Sequence, residues 1–111
     1  MDSILTTVKQ HLGIVAEYEH FDPEIIDHIN SVFADLHQMG VGPVEVFMIE
    51  DDIPTWEDFI KGNDKLNPVK SYMKLRVKVL FEHPSGSVMD AMQREIDKWE
   101  WRLNVAAETK N

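Results

Sequence analysis

The chain has 111 residues, 43% of them hydrophobic, no cysteine and a formal charge of −9. That is enough apolar material for one packed core and too little length for two, so residues 1–111 read as a single domain. The absence of cysteine excludes disulfides, thiolate metal sites and a cysteine nucleophile. An acidic balance argues against tight non-specific DNA binding, which comes from Lys and Arg neutralising phosphates. No early apolar run resembles a signal peptide or a membrane span, and the expectation is a protein made in the cytosol that meets no membrane.

The charge is divided lengthwise. Residues 1–60 hold one base, Lys9, against thirteen acids, a formal −12, whereas residues 61–111 hold ten bases against seven acids, +3. Such polarity favours copies meeting head to tail through unlike surfaces, which build rings when the rotation closes and filaments when it does not. The alternative is a solvated acidic face with no partner.

In chain order, Ile4, Leu5, Val8 and Leu12 recur at helical spacing behind Asp2 and Ser3, which can cap, and Gly13 ends the pattern. Asp22 as N-cap and Pro23 as first helical residue open a second helix, whose Ile25, Ile26, Ile29, Val32, Phe33, Leu36 and Met39 form one broad stripe up to Gly40. Val46-Phe47-Met48-Ile49 is a short apolar run of strand formers before the acidic Glu50-Asp51-Asp52, and reads as an extended arm or short β-hairpin within about 41–54. Thr55 and Asp58 approximate a capping box ahead of Trp56, Phe59 and Ile60. Asn67 and Pro68 repeat the cap-plus-proline signal, and Val69, Tyr72, Met73, Arg76, Val77 and Leu80 trace a core helix that Pro84 stops. Ser85 or Ser87 can cap a last helix whose Met89, Met92, Ile96, Trp99, Leu103 and Ala106 follow near-heptad spacing, read as a core stripe. Trp101 lies off that stripe, where a large aromatic either anchors a partner or covers a loop. The predicted fold is mainly α: a small bundle of four to five helices, with a helical core over about 1–39 and 55–109 and the arm between.

Chemistry-bearing motifs are scarce. Glu24 and His28 at i, i+4 supply two metal ligands, which do not make a site, and neither an H-E-x-x-H pattern nor a calcium loop is present. Gly40-Val41-Gly42 follows a helix instead of a strand, so it is a helix stop and not a phosphate cradle. Pro84-Ser85-Gly86-Ser87 does not match a nucleophile elbow. The enzymatic reading pairs Glu24 and Asp27 with Asp97 and Glu100, resembling the carboxylate clusters by which all-helical nucleotide pyrophosphohydrolases hold magnesium. Against it, i, i+3 acid pairs are common in so acidic a chain, and Lys98 or Arg102 can neutralise the second pair. A further alternative is an acidic DNA mimic that inhibits a host DNA-binding protein, for which the +3 half is awkward.

An ordered set of segments spans nearly the whole chain: FDPEIIDHINSVF from Phe21 to Phe33, then Gly40-Val41-Gly42-Pro43, TWEDF from Thr55 to Phe59, VKSYMKLRV from Val69 to Val77, LFEHP from Leu80 to Pro84, and EWRLNV from Glu100 to Val105. In order and spacing they resemble the head-to-tail connector, or adaptor, proteins of tailed bacteriophages. The resemblance implies a non-enzymatic helical virion protein that needs no cofactor. It implies a ring of about twelve copies beneath the portal, bridging portal and the stopper or tail-side neck protein at the head-to-tail interface, after assembly in the host cytoplasm. It makes Val46, Phe47, Met48 and Ile49 an arm toward a neighbouring copy, and Trp99, Trp101, Arg102 and Leu103 part of a portal-docking region. Charge adds Lys70, Lys74 and Lys78, one basic ridge at i, i+4, i+8, as a subunit-interface candidate against the acidic half of a neighbour. The acidic excess suits a channel through which packaged DNA passes without specific binding, because carboxylates repel phosphates.

Overall fold

In the computed structural model, residues 3–108 are described, so capping by Asp2 and the end of the helical core at 109 lie outside the described residues. Helix α1 runs Ile4–His11, opened by Ser3, whose Oγ accepts the Thr6 N–H at 3.2 Å. Ile4, Leu5 and Val8 turn inward as their spacing predicts, and Lys9, on the same face, is only 2% exposed. Its ammonium donates to the Ala16 carbonyl at 2.9 Å and lies 2.8 Å from Asp22 Oδ1.

That pairing changes the start of α2, Asp22–Gln38. Asp22 is not the N-cap: Phe21 holds that place without a side-chain bond, and Asp22 is already the first helical residue. A carboxylate facing a buried ammonium is worth more there than a capping bond, because the unpaired ammonium would be costly. From α2, Ile25, Ile29, Val32, Phe33 and Leu36 are buried, with Ile26 and Met39 packed at the edge of the core. Each fully buried aliphatic side chain contributes roughly 1.5–3 kcal/mol, so this stripe is a principal source of stability.

The expected capping box is complete at α3, Trp56–Ile60: Thr55 Oγ1 accepts from the Asp58 N–H at 3.3 Å and Asp58 Oδ2 from the Thr55 N–H at 2.8 Å. Trp56 Nε1 donates to Thr7 Oγ1 at 2.8 Å, and the Ile4 N–H donates to the Pro54 carbonyl at 3.0 Å, fastening α3 to α1. A 3-10 turn, Asp64–Leu66, follows, capped by Asn63. Asn67 makes no side-chain cap for α4, Pro68–Glu82, because it closes the preceding turn in the helical region, φ −53° and ψ −36°, and not in the extended conformation of a capping residue. The helix ends one residue before Pro84, at His83 in the left-handed region with φ 52°. Helix α5, Gly86–Glu108, begins at Gly86, just after Ser85, and seats Ile96 and Leu103 in the core with Trp99 at its edge.

Helix α4 is central, packed against α1, α2 and α5. The described residues form a mainly α bundle of five helices, as expected, but residues 41–54 hold no strand and the β-hairpin alternative is not formed. The β contact outside the helices is an isolated Ser3–Thr55 bridge. Two turns of sequence explain why 41–54 lies against the bundle and does not leave it. Gly42 has φ +102°, and a Cβ there would fall 2.5 Å from Phe59 Cζ, so the backbone passes directly over the ring. Phe47 then packs edge-on against Phe33 and Phe59, with centroids 5.0 and 5.4 Å away.

Candidate functional site

The arm is a strap. Along Val46–Ile49 the side chains alternate: Phe47 and Ile49 go to the core, Val46 and Met48 to solvent. Two side chains of α2 hold its ends. Asn30 treats Ile49 as a strand neighbour would, its Oδ1 accepting the Ile49 N–H at 2.8 Å and its Nδ2 donating to the Ile49 carbonyl at 2.9 Å. His37 Nε2 reaches the Val44 carbonyl at 3.0 Å. Neither anchor was anticipated from sequence; the apolar run of strand formers from Val46 to Ile49 signalled an extended segment, but all four residues are apolar and do not show which face is covered.

The basic ridge on α4 is real but partly engaged. Lys70, Lys74 and Lys78 are each half-buried, and Lys78 Nζ lies 3.4 Å from Glu82 Oε2. The ridge flanks the end of α1, where partial burial, then Lys78 and Lys74, hold the His11 imidazole below its ordinary range.

On the other side of α4, Arg76 Nη2 donates to Asp35 Oδ2 at 2.7 Å and Nη1 to the Tyr72 hydroxyl at 2.7 Å, while that hydroxyl donates to Glu100 Oε2 at 2.8 Å. This chain of contacts joins α2, α4 and α5. Burial, then the bond to Glu100, pushes the Tyr72 phenol up to about 12. Burial opposes the Arg76 charge, but Asp35 and the Tyr72 hydroxyl together outweigh it and raise Arg76 further.

The C-terminal candidates separate by burial. Leu103 is fully buried and holds α5 to the bundle; Trp99 is half-buried, with Arg102 and Lys98 over its ring at 4.9 and 5.2 Å. Trp101 and Arg102 are exposed, so of the four residues these two remain available to a partner.

The acids are scattered by the fold. Glu24 pairs with His28 at 3.3 Å and Glu100 with Tyr72, and among the described residues no three His, Asp or Glu side chains are grouped to hold a metal ion. Glu24, Asp27, Asp97 and Glu100 therefore do not make the magnesium cluster of the hydrolase reading. What the acids do form is a negative wall: an open groove of about 570 Å³ between α1, the start of α2 and the end of the strap, rimmed by Glu19, Asp27, Glu50, Asp51 and Asp52. No described helix is long and apolar enough to cross a membrane.

Against known proteins, residues 4–110 match a family described as phage connector protein. No curated protein and no solved structure matches the chain.

Proposed function

This chain belongs to the phage connector protein family, and from that premise we propose that it forms the adaptor ring, of about twelve copies, that joins the portal of a DNA-filled head to the neck or tail. The observation that carries the reading is the family match, which spans nearly the whole chain. Its work is geometric: the protein is a structural connector of the phage particle, and the reading assigns it no reaction.

Three features support the finer statement. The charge division gives each copy two unlike faces, which a closed ring of heterologous contacts requires. The strap and the Lys70, Lys74, Lys78 ridge are the proposed contacts between neighbouring copies. A subunit in a closed ring is held on two sides, so weak contacts still give a durable assembly. The acidic groove and the exposed acids of the first half suit a passage for DNA that must not stick, because they repel phosphate. In the virion the expected neighbours are the portal on one side and a stopper or tail-side neck protein on the other.

The experiment is native mass spectrometry of the purified protein, alone and with portal rings from the same phage, at low and moderate salt. A closed oligomer, or saturable binding of about twelve copies per portal ring, is the expected result. A monomer that ignores portal rings overturns the reading. Within a ring-forming protein, the Lys70→Glu, Lys74→Glu, Lys78→Glu triple variant is expected to stay folded and lose assembly.

A further inference from the structure

On α5, Arg94, Lys98, Trp101 and Arg102 are spaced i, i+4, i+7, i+8 and all are exposed, so they form one cationic stripe around an indole. Lys98 pairs within its own helix to Glu95 at 3.0 Å and Arg102 leans on Trp99, but Arg94 has no ion pair among the described residues. Trp101 is 67% exposed although its neighbour Leu103 is wholly buried. An exposed indole with cationic side chains on the same stripe of its helix has the composition of an interface hot spot.

The strap has the complementary composition. Met48 is 60% and Ile53 76% exposed, and Glu45, Glu50 and Asp51 stand exposed beside them. No cation of the first half can neutralise these acids, because Lys9, its single base, is buried against Asp22. The lengths agree. Eight helical steps from Arg94 to Arg102 rise about 12 Å, and five extended steps from Glu45 to Glu50 cover about 16 Å. One copy does not join the two surfaces itself: α4 stands between α2, which carries the strap, and α5, and no ion pair among the described residues links them.

We infer that the α5 stripe of one copy docks on the strap of a second copy, with Trp101 over Met48 and Ile53 and the arginines against Glu45, Glu50 and Asp51. The inference rests on the ring reading for its repetition and names the contact from which the ring is built. It gives Trp101 and Arg102 to a neighbouring copy, where the family resemblance pointed to the portal. Charges set the register and the encounter, and the desolvated indole supplies the hold.

The chain has no cysteine, so introduced thiols report contact without background. Asp97→Cys, one turn before Trp101, and Asp52→Cys, beside Ile53, both replace exposed side chains and leave the proposed anchors in place. Mixed under mild oxidation, alone and with portal rings, the two full-length variants are expected to link to each other at least about tenfold faster than either links to itself, and adding Arg94→Glu should slow that link about tenfold. Circular dichroism confirms that each variant is folded. A closed oligomer in native mass spectra without the mixed link overturns the inference and leaves the ring reading intact. A mixed link whose products neither close nor bind portal rings supports the contact and overturns the ring. Loss of the mixed link when portal rings are added gives the stripe to the portal and overturns the inference, as does equal linking in all combinations or no link at all.

Discussion

Residues 1–60 and 61–111 use their cations in opposite ways. The first half has one, Lys9, and places it inside, against Asp22 and the Ala16 carbonyl, where it fastens α1 to the entrance of α2. The second half has ten and keeps most at or near the surface, with Arg76 bound back to Asp35 and Lys78 to Glu82. The formal charges of −12 and +3 therefore do not measure what a partner meets. After internal pairs are removed, the first half presents acids alone, and the second presents both signs, exposed Asp64, Asp90 and Asp97 beside lysines and arginines of graded availability, from the engaged Arg76 to the unpaired Arg94. A charge count locates the polarity; pairing decides which charges remain to act across an interface.

The sharpest way to break this contrast is to remove the buried cation. Lys9→Met keeps the length and apolar stem but leaves the Asp22 carboxylate without its partner, and is expected to cost about 3 kcal/mol. Urea unfolding should show a lower midpoint with little change in slope. Adding Asp22→Asn removes the stranded charge and should restore part of the loss. If Lys9→Met unfolds at the wild-type midpoint, the ammonium is not a structural element and the first half is less specialised than its geometry indicates.

A smaller effect is expected where the strap is tied down. Asn30→Ala deletes both bonds to Ile49 and leaves a buried N–H and carbonyl unmatched, a loss of roughly 1–3 kcal/mol. The damage should be local: hydrogen exchange at the Ile49 amide should rise by about tenfold or more while the core amides of α2 and α4 keep their protection. A uniform rise would mean that strap and bundle open together, and would remove the distinction between an anchored strap and the helices beneath it.

Much of the helical frame was legible because apolar spacing, caps and prolines act locally. The stripe of α2, the capping box at Thr55 and the Pro68 start all depend on residues within a few positions of each other. The misplaced details have separate causes, a partner distant in sequence for Asp22 and an adjoining turn for Asn67. Asp22 reads as a cap until Lys9 is found beside it, and Asn67 reads as a cap until the 3-10 turn before it is seen. Lys9 itself carried a signal, since it lies four residues after Leu5 and one after Val8, on the apolar side of α1. The strap was recognised as extended, but its anchors, Asn30 and His37, lie nineteen and seven residues from the groups they hold, and no periodicity marks them. Among the C-terminal candidates, Trp101 was separable from Trp99 by helical phase, and the complete burial of Leu103 follows from its place on the core stripe, whereas its docking role came from the family resemblance alone.

The smallest expected effect tests the second half, where polar groups serve the interior without a buried ion pair of the Lys9 kind. Tyr72→Phe removes a hydroxyl that donates to Glu100 and accepts from Arg76, yet Arg76 keeps Asp35 and Glu100 is near enough to solvent to be hydrated, so the loss near neutral pH should be about 1 kcal/mol. Its pH dependence is the diagnostic. Burial and Glu100 raise the folded phenol to about 12, above the ordinary value of 10.0. The neutral phenol is thus favoured in the folded state. Its contribution is fully present below the unfolded value and declines as pH rises from there through about 12, where the unfolded chain binds fewer protons than the folded one. The stability gap between wild type and Tyr72→Phe should therefore be constant through neutral pH and narrow above about pH 10. Tyr18 is exposed and common to both proteins, so it cancels in the difference. A gap that stays constant through alkaline pH would show that the phenol is not held neutral by the bundle, and that the link from α2 through α4 to α5 is a surface arrangement no stronger than the pairing of Lys78 with Glu82.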